Sequence, residues 1–135
     1  MATILVVEDE ATLSDIICEK LVEEGFKAER ALDGQEAVDY FQNGKTADLV
    51  LLDILLPKMD GFTVLKTVND LAAEKGFAVP PVVIFSNFLH DEEEQRARAL
   101  GAKEFLVKAA FSTAEVVTKI KEILNAAPAA TPAQE

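Results

Sequence analysis

The chain has 135 residues, of which 24 are Asp or Glu and 13 are Lys or Arg, so its formal net charge is −11. Half of the residues are hydrophobic, which is enough for a buried core and excludes a disordered acidic tail or a fibrous repeat. Because so strong a negative charge repels phosphate backbones, we expect protein or cation partners and no binding to nucleic acid.

The N-terminal third of the chain alternates between strand-like and helix-like patterns. Residues 3–7 are β-branched or aliphatic throughout, which is typical of a strand buried on both faces of a parallel sheet. Apolar residues then recur at helical spacing until Gly25, which predicts a first helix. Residues 26–32 indicate a weaker second strand, and Asp33 with Glu36 forms a capping box that begins a second helix.

The same alternation continues through the rest of the chain. Residues 48–53 contain the most hydrophobic strand candidate, and it ends on Asp53. A third helix is predicted over residues 62–74, because Gly76 and a Pro-Pro pair follow it. The remaining predicted elements are a strand at residues 82–85, a helix at 91–100, a strand at 104–107 and a helix that is capped by Ser112 and Glu115 and runs to about 125.

Five strands that alternate with five helices predict an α/β fold. Right-handed crossovers between parallel strands give a three-layer sandwich, and we expect it to form one domain over residues 1–125. Residues 126–135 are rich in Ala and Pro and are predicted to be a flexible tail. In such a fold, ligands bind at the carboxyl ends of the strands.

Polar side chains stand at four of the five predicted strand ends: Glu8 and Asp9, Asp53, Ser86 and Lys108. Three carboxylates at one edge repel each other, and a divalent cation with oxygen ligands relieves that repulsion, with Mg²⁺ the best fit. The lysine and the hydroxyl would bind an anion at the same place. A phosphoryl group carried by Asp53 would complete such a set, since a carboxylate can be the nucleophile in phosphoryl transfer.

An ordered series of motifs lies at these positions. The motifs are LVVEDE at residues 5–10, LLD at 51–53, PKMDG at 57–61, FS at 85–86, and GAK at 101–103 leading to FLVK at 105–108. Together they resemble the receiver domains of bacterial two-component response regulators, and the resemblance covers about residues 1–125. It implies a flavodoxin-like sheet with strand order 2-1-3-4-5.

The resemblance implies roles for the acidic residues. Asp53 would be the phosphoacceptor. Asp9, Asp53 and the backbone carbonyl of Leu55 would ligate Mg²⁺ or Mn²⁺, and Glu8 would act at the metal through water.

Three further residues take roles from the same resemblance. Ser86 would donate a hydrogen bond to the phosphoryl group and Lys108 would pair with it. Phe105 would be the aromatic switch residue whose rotation accompanies the movement of the Ser86 hydroxyl.

The resemblance also implies a function, namely a phosphorylation-activated switch in a phosphorelay. A histidine kinase or phosphotransfer protein would supply the phosphoryl group, and an effector protein would read a face made of helix 4, strand 5 and helix 5. The protein would assist its own phosphorylation and slow dephosphorylation without turning over external substrates. We expect a monomer or weak homodimer in the cytoplasm, since no apolar run is long enough to cross a bilayer and residues 1–3 lack the basic flank of a signal peptide.

The chain departs from the family pattern in two places. Receiver domains usually have a cis proline after the lysine, but Ala109 follows Lys108 here. A cis bond before Ala costs roughly 3–4 kcal/mol, so we expect a trans bond and a loop of different shape. The position of Lys108 could then differ from that of the family's lysine. Leu55 and Phe88 are bulky and apolar where they would flank an attacking water, which predicts slow dephosphorylation.

Two alternative functions stay open at this stage. The first is a scaffold that keeps the receiver fold but is never phosphorylated, which the missing proline favours. The second is a phosphatase of the haloacid dehalogenase type, which also uses an Asp nucleophile and magnesium. That family needs a second Asp two residues after the nucleophile as acid and base, and Leu55 at that position argues against it.

Overall fold

The computed structural model describes residues 1–87 and 90–126. Within these ranges the chain forms one five-stranded parallel sheet. The strands are β1 (Thr3–Val7), β2 (Lys27–Ala31), β3 (Leu49–Leu52), β4 (Val82–Ser86) and β5 (Glu104–Val107). The helices are α1 (Ala11–Glu23), α2 (Gly34–Gln42), α3 (Gly61–Lys75), α4 (Asp91–Ala99) and α5 (Thr113–Ala126), and a short 3-10 turn spans Lys108–Ala110.

The strand order is β2-β1-β3-β4-β5, and the predicted α/β fold with five helices is confirmed. Three local details differ from the sequence prediction. β3 ends at Leu52, so Asp53 follows this strand and does not end it. Ser86 is the last residue of β4 and does not follow it, and the 3-10 turn after β5 was not predicted. Residues 127–135, which belong to the predicted tail, lie outside the described residues.

Two hydrophobic clusters form the core, one on each face of the sheet. In β1, Leu5 and Val7 belong to the cluster under α2 and α3, whereas Ile4 and Val6 belong to the cluster under α1 and α5. All four side chains are at most 1% exposed, which explains why this strand is apolar at every position. Full burial of such a side chain contributes about 1.5–3 kcal/mol, so the two clusters hold the sheet rigidly in place.

The predicted capping box is present at α5, whereas at α2 the Asp33 cap forms but Glu36 reaches the residue before the cap. The Asp33 side chain accepts a hydrogen bond from the Glu36 N–H at 2.8 Å, and the Glu36 carboxylate accepts one from the Leu32 N–H at 2.9 Å. Ser112 and Glu115 make the reciprocal pair, at 3.1 and 2.8 Å. These bonds satisfy backbone donors that have no partner within the helix.

Parallel pairing brings the carboxyl ends of the strands to one edge of the sheet. The Glu8 N–H donates to the Ala31 carbonyl at 3.0 Å, and the Asp53 N–H donates to the Val7 carbonyl at 3.2 Å. The residues that follow β1 and β3 therefore begin side by side in the middle of the sheet. In the described part of the chain, every helix is too short or too polar to span a membrane.

Candidate functional site

Three carboxylates meet at the carboxyl edge of the sheet. One oxygen from each of Glu8, Asp9 and Asp53 lies within 4.8 Å of the other two. Glu8 is 2% exposed and Asp53 is 5% exposed, whereas Asp9 is open to solvent. Burying ionised carboxylates is costly unless a cation compensates them, so this cluster needs a positive charge.

Lys108 supplies a positive charge to the two buried carboxylates. Its Nζ lies 2.7 Å from Asp53 Oδ2 and 2.7 Å from Glu8 Oε1. Burial alone would lower the pKa of Lys108, but the hydrogen bond to Asp53 and the charges of Asp53 and Glu8 together raise that pKa above its ordinary value. Lys108 is therefore a cation at neutral pH.

Glu8 is costly to keep ionised in this environment. Burial is the largest influence on the pKa of Glu8 and raises it, although the Lys108 ammonium and the hydrogen bond from the Glu10 N–H oppose the increase. The Glu10 N–H donates to Glu8 Oε2 at 3.0 Å. The site is thus preorganised at the expense of local stability, as is common at functional sites.

The turn after β5 brings Lys108 to the acidic cluster without a proline. The described residues contain no cis peptide bond, so the Lys108–Ala109 bond is trans. The Ala109 N–H donates to Asn87 Oδ1 at 2.9 Å, which ties this turn to the residue after β4. A proline at position 109 could not make that bond, because it has no N–H. The loop differs from the usual pattern, yet Lys108 contacts both buried carboxylates.

The segment after β3 is packed against its own backbone. The Leu55 N–H lies 3.3 Å from Asp53 Oδ1, and the Gly61 N–H donates to the Ile54 carbonyl at 2.8 Å. A Cβ atom at Gly61 would lie 2.5 Å from the Asp53 carbonyl oxygen, so only glycine fits there. The Leu55 side chain is 58% exposed and lies two residues after Asp53.

Ser86 lies on β4, the strand next to β3, and Phe105 lies on β5 at the edge of the sheet. Ser86 is fully buried and is paired with Val107 in the β4–β5 register, which places it at the same sheet edge as Asp53 and Lys108. Phe105 pairs with Ile84 further from that edge and packs as a half-buried ring against the hydrophobic cluster under α2 and α3.

Sequence reasoning missed two residues that contact this region. The guanidinium carbon of Arg98 lies 4.4 Å from the centre of the Phe105 ring, and Asn87 binds the Ala109 N–H. Asn87 directly follows Ser86, and a polar residue beside a strand end is the signal that could have found it. Phe88, which was expected to flank the site, lies outside the described residues.

The arrangement fits two ligand classes at once. Carboxylate oxygens are the ligands that Mg²⁺ and Ca²⁺ prefer, and the three acids offer one oxygen each from a small volume. A lysine ammonium beside them can bind an anion such as a phosphoryl group. Asp53, which directly follows β3 in the middle of the sheet, pairs with Lys108, as Glu8 does.

Comparison with known proteins gives consistent matches. A family model described as response regulator receiver domain matches residues 4–121. The phosphate regulon transcriptional regulatory protein PhoB of Klebsiella pneumoniae is 37% identical over 124 residues, covering 90% of this chain and 51% of that protein. The transcriptional regulatory protein YcbL of Bacillus subtilis is 32% identical over 123 residues, covering 91% of this chain and 51% of that protein.

A solved structure agrees with the sequence matches. The chemotaxis protein CheY4 of Vibrio cholerae is similar at a TM-score of 0.78 with 25% identity, covering 91% of this chain and 98% of that chain. The chain spans about half the length of the curated relatives that it matches.

Proposed function

This chain belongs to the family of response regulator receiver domains, and from that membership we infer that it is a phosphorylation-activated switch in a two-component phosphorelay. The observation that carries the proposal is the contact of Lys108 with both Asp53 and Glu8 at 2.7 Å. This contact supports a site in which one carboxylate accepts a phosphoryl group and a lysine compensates the added charge.

In the proposed reaction, an Asp53 carboxylate oxygen attacks the phosphorus of a phosphohistidine on a histidine kinase or phosphotransfer protein. The new O–P bond forms as the P–N bond breaks, and the donor imidazole leaves with the electron pair and takes up a proton. The Lys108 ammonium then contacts a phosphoryl oxygen in place of the carboxylate oxygen that it contacts here. The Ser86 hydroxyl, at the end of β4, donates a hydrogen bond to the same group.

The acidic cluster fits a resident divalent cation. Asp9, Asp53 and the Leu55 carbonyl would hold Mg²⁺ or Mn²⁺, with Glu8 acting through water. When bound, such an ion supplies charge neutralisation for the phosphoryl oxygens. The chain's own part is to hold the acids within 4.8 Å of one another before any ligand arrives.

Receiver domains are signalling proteins, not turnover enzymes, and the residue two positions after Asp53 agrees with that role. Leu55 has no acid or base to offer, as a haloacid-dehalogenase-type phosphatase would need. Its exposed side chain beside the acceptor also shields the route of an attacking water, so we propose that the phosphorylated form decays slowly. Replacement of Leu55 by Asn should shorten the lifetime of the phosphoryl group, measured by intact mass against time, and an unchanged lifetime would contradict this shielding.

The proposed output is a change in the face formed by α4, β5 and α5, which an effector protein would recognise. Phe105 on β5 would be the switch residue, and its half-buried ring beside α4 supports that role. We propose that the chain acts in the cytoplasm as a monomer or weak homodimer, without binding nucleic acid itself. The relatives named above include transcriptional regulators and a chemotaxis protein.

The proposal is tested by intact mass after incubation with acetyl phosphate, with and without Mg²⁺. The wild-type protein should gain one phosphoryl group only when Mg²⁺ is present, and Asp53→Asn should gain none. Asp70→Asn is the matched control, because Asp70 is an exposed acid on α3 that pairs with Lys66. No gain in folded wild-type protein would favour the scaffold alternative, and a gain in Asp53→Asn would place the acceptor elsewhere.

A further inference from the structure

The segment between β3 and α3 contains a strained turn. Among the described residues, Lys58 is the only non-glycine residue with a positive φ, at 68°. The Met59 N–H donates to the Pro57 carbonyl at 2.7 Å, so these three residues form the rare kind of γ-turn. An L-amino acid in this conformation is strained and persists only where its surroundings hold it.

The surroundings that hold this turn lie at the start of α2. Lys58 Nζ is 3.3 Å from Asp33 Oδ2, and Asp33 itself is 7% exposed. Gly34 lies so close to the turn that a Cβ atom there would be 2.1 Å from the Met59 carbonyl oxygen. The turn is therefore packed against α2 through a backbone contact and an ion pair.

The Asp33 side chain is also held by an interaction that does not involve Lys58. Its side chain accepts a hydrogen bond from the Glu36 N–H at 2.8 Å, as the N-terminal cap of α2. This hydrogen bond is the main reason why the pKa of Asp33 lies below its usual range, and the Lys58 ammonium lowers that pKa further. Together they outweigh burial, which acts in the opposite direction. The carboxylate is therefore ionised and held in place at neutral pH.

The turn can affect the candidate cation site because both lie in the segment between β3 and α3. That segment begins at Asp53 and includes the backbone carbonyl of Leu55. The two ends of this segment are joined by a hydrogen bond from the Gly61 N–H to the Ile54 carbonyl. A change of conformation at Lys58 would therefore be transmitted over three residues to the Leu55 carbonyl.

We propose that Asp33 and Lys58 are positioning residues, and that their ion pair holds the strained turn so that the Leu55 carbonyl is preset for a divalent cation. The part that concerns the cation rests on the proposed function, whereas the part that concerns the turn does not. If the turn relaxes, binding has to restore it, and the affinity for the cation falls accordingly.

Three variants separate strain from charge. Lys58→Met removes the charge and keeps the strained L residue. Lys58→Gly removes the same charge but also removes the strain, because glycine adopts positive φ freely. Asp33→Asn removes the ion pair and keeps the cap, because Asn also caps helices well. Lys66→Met, at an exposed lysine on α3, is the control for loss of a positive charge elsewhere.

The first readout is amide hydrogen exchange at Met59 by NMR in the presence of a chelator. Exchange should be faster in Lys58→Met and in Asp33→Asn, and close to wild type in Lys58→Gly and Lys66→Met. Equal exchange in Lys58→Met and wild type would overturn the claim that the ion pair holds the turn.

The second readout is the affinity for Mg²⁺ by calorimetric titration. Lys58→Met and Asp33→Asn should each bind about threefold more weakly, which is the effect of an ion pair of ordinary strength whose lysine is exposed. Lys58→Gly should bind at least as tightly as wild type, and Asp33→Asn should have no further effect in that background. A purely through-space effect predicts instead that both Lys58 variants bind Mg²⁺ more tightly, and that result would overturn the positioning role.

The two readouts also separate this inference from the proposed function. If the wild-type protein binds no Mg²⁺, the cation site and the positioning role both fail, while the exchange data still decide whether the ion pair holds the turn. If wild type binds Mg²⁺ and all variants bind it equally, the proposed function stands and the positioning role is overturned.

Discussion

Two loops deliver the residues of the site, and they are held in different ways. The loop between β3 and α3 is fixed by backbone contacts so close that Gly34 and Gly61 leave no room for a Cβ atom. The loop between β5 and α5 is tied by side chains, because the Ala109 N–H donates to Asn87 Oδ1 and Phe111 packs against the hydrophobic cluster under α1 and α5. Both loops meet where Lys108 contacts Asp53.

The difference shows which kind of loop tolerates change. A loop fixed by backbone packing keeps its geometry only with particular small residues, so its motif is a reliable guide to its structure. A loop fixed by side chains can place a functional residue correctly with a different backbone conformation. Lys108 is an example, since it contacts Asp53 and Glu8 although Ala109 and not proline follows it. A missing family residue, such as the proline after Lys108, is therefore weaker evidence for a changed site in the β5–α5 loop than it would be in the β3–α3 loop.

The largest effect is expected where the two loops meet. Lys108→Met leaves Glu8 and Asp53 buried side by side without a cation, and should lower the free energy of unfolding by about 2–3 kcal/mol at neutral pH. The loss should shrink in acid, because Glu8 already has a raised pKa and takes up a proton there. Chemical denaturation in a chelator at several pH values measures this, with Lys103→Met at an exposed lysine as the control. An equal loss at every pH would contradict the charge explanation.

The next largest effect tests the backbone-packed loop. Gly34→Ala places a Cβ atom 2.1 Å from the Met59 carbonyl oxygen, and the loop or α2 must shift at a cost of about 2 kcal/mol. Gly101→Ala is the comparison, because its φ of 101° adds strain but no atom lies within 4 Å of its added Cβ. That variant should lose only about 1 kcal/mol, which is the cost of an L residue at positive φ. Equal losses in the two variants would show that the close contact at Gly34 does not constrain the loop.

A smaller effect is expected in the side-chain-tied loop. Asn87→Ala removes the acceptor of the Ala109 N–H, and should lower the free energy of unfolding by about 0.5–1 kcal/mol. Asn87→Asp keeps an acceptor oxygen and should restore most of the loss. If Asn87→Asp were as unstable as Asn87→Ala, this hydrogen bond would not be what ties the loop.

The smallest effect is a gain in stability. Since burial raises the pKa of Glu8, the folded state binds the Glu8 proton more tightly than the unfolded state does. The bound proton therefore stabilises the folded state at low pH, and this stabilisation is lost as the pH rises through the folded-state pKa. Glu8→Gln stays neutral at every pH, so without divalent cation it should be more stable than wild type by about 0.5 kcal/mol at neutral pH. The difference should vanish in acid. A less stable Glu8→Gln at neutral pH would show that its ion pair with Lys108 outweighs burial.

Much of the fold was predictable because its signals are local and periodic. The apolar run of β1, the capping residues Asp33 and Ser112, and the alternation of strands and helices each follow from a few neighbouring residues. The convergence of Glu8 and Asp53 follows in turn from parallel pairing, since strand ends meet at one edge.

The parts that could not be predicted depend on contacts between distant segments. Asn87 and Ala109 are 22 residues apart, and nothing local in either stretch indicates that they bond. The positive φ of Lys58 depends likewise on Asp33, which precedes it by 25 positions in the sequence. Such pairings are set by packing and not by local preference, so single-sequence reasoning does not reach them.

The most direct test of the site is a crystal structure with Mg²⁺ and beryllofluoride, which mimics a phosphoryl group on a carboxylate. We predict beryllofluoride on Asp53, contacts to it from Lys108 Nζ and the Ser86 hydroxyl, and Mg²⁺ on Asp9, Asp53 and the Leu55 carbonyl. A structure in which Lys108 still bridges Asp53 and Glu8, with beryllofluoride absent from Asp53 at saturating concentration, would contradict it.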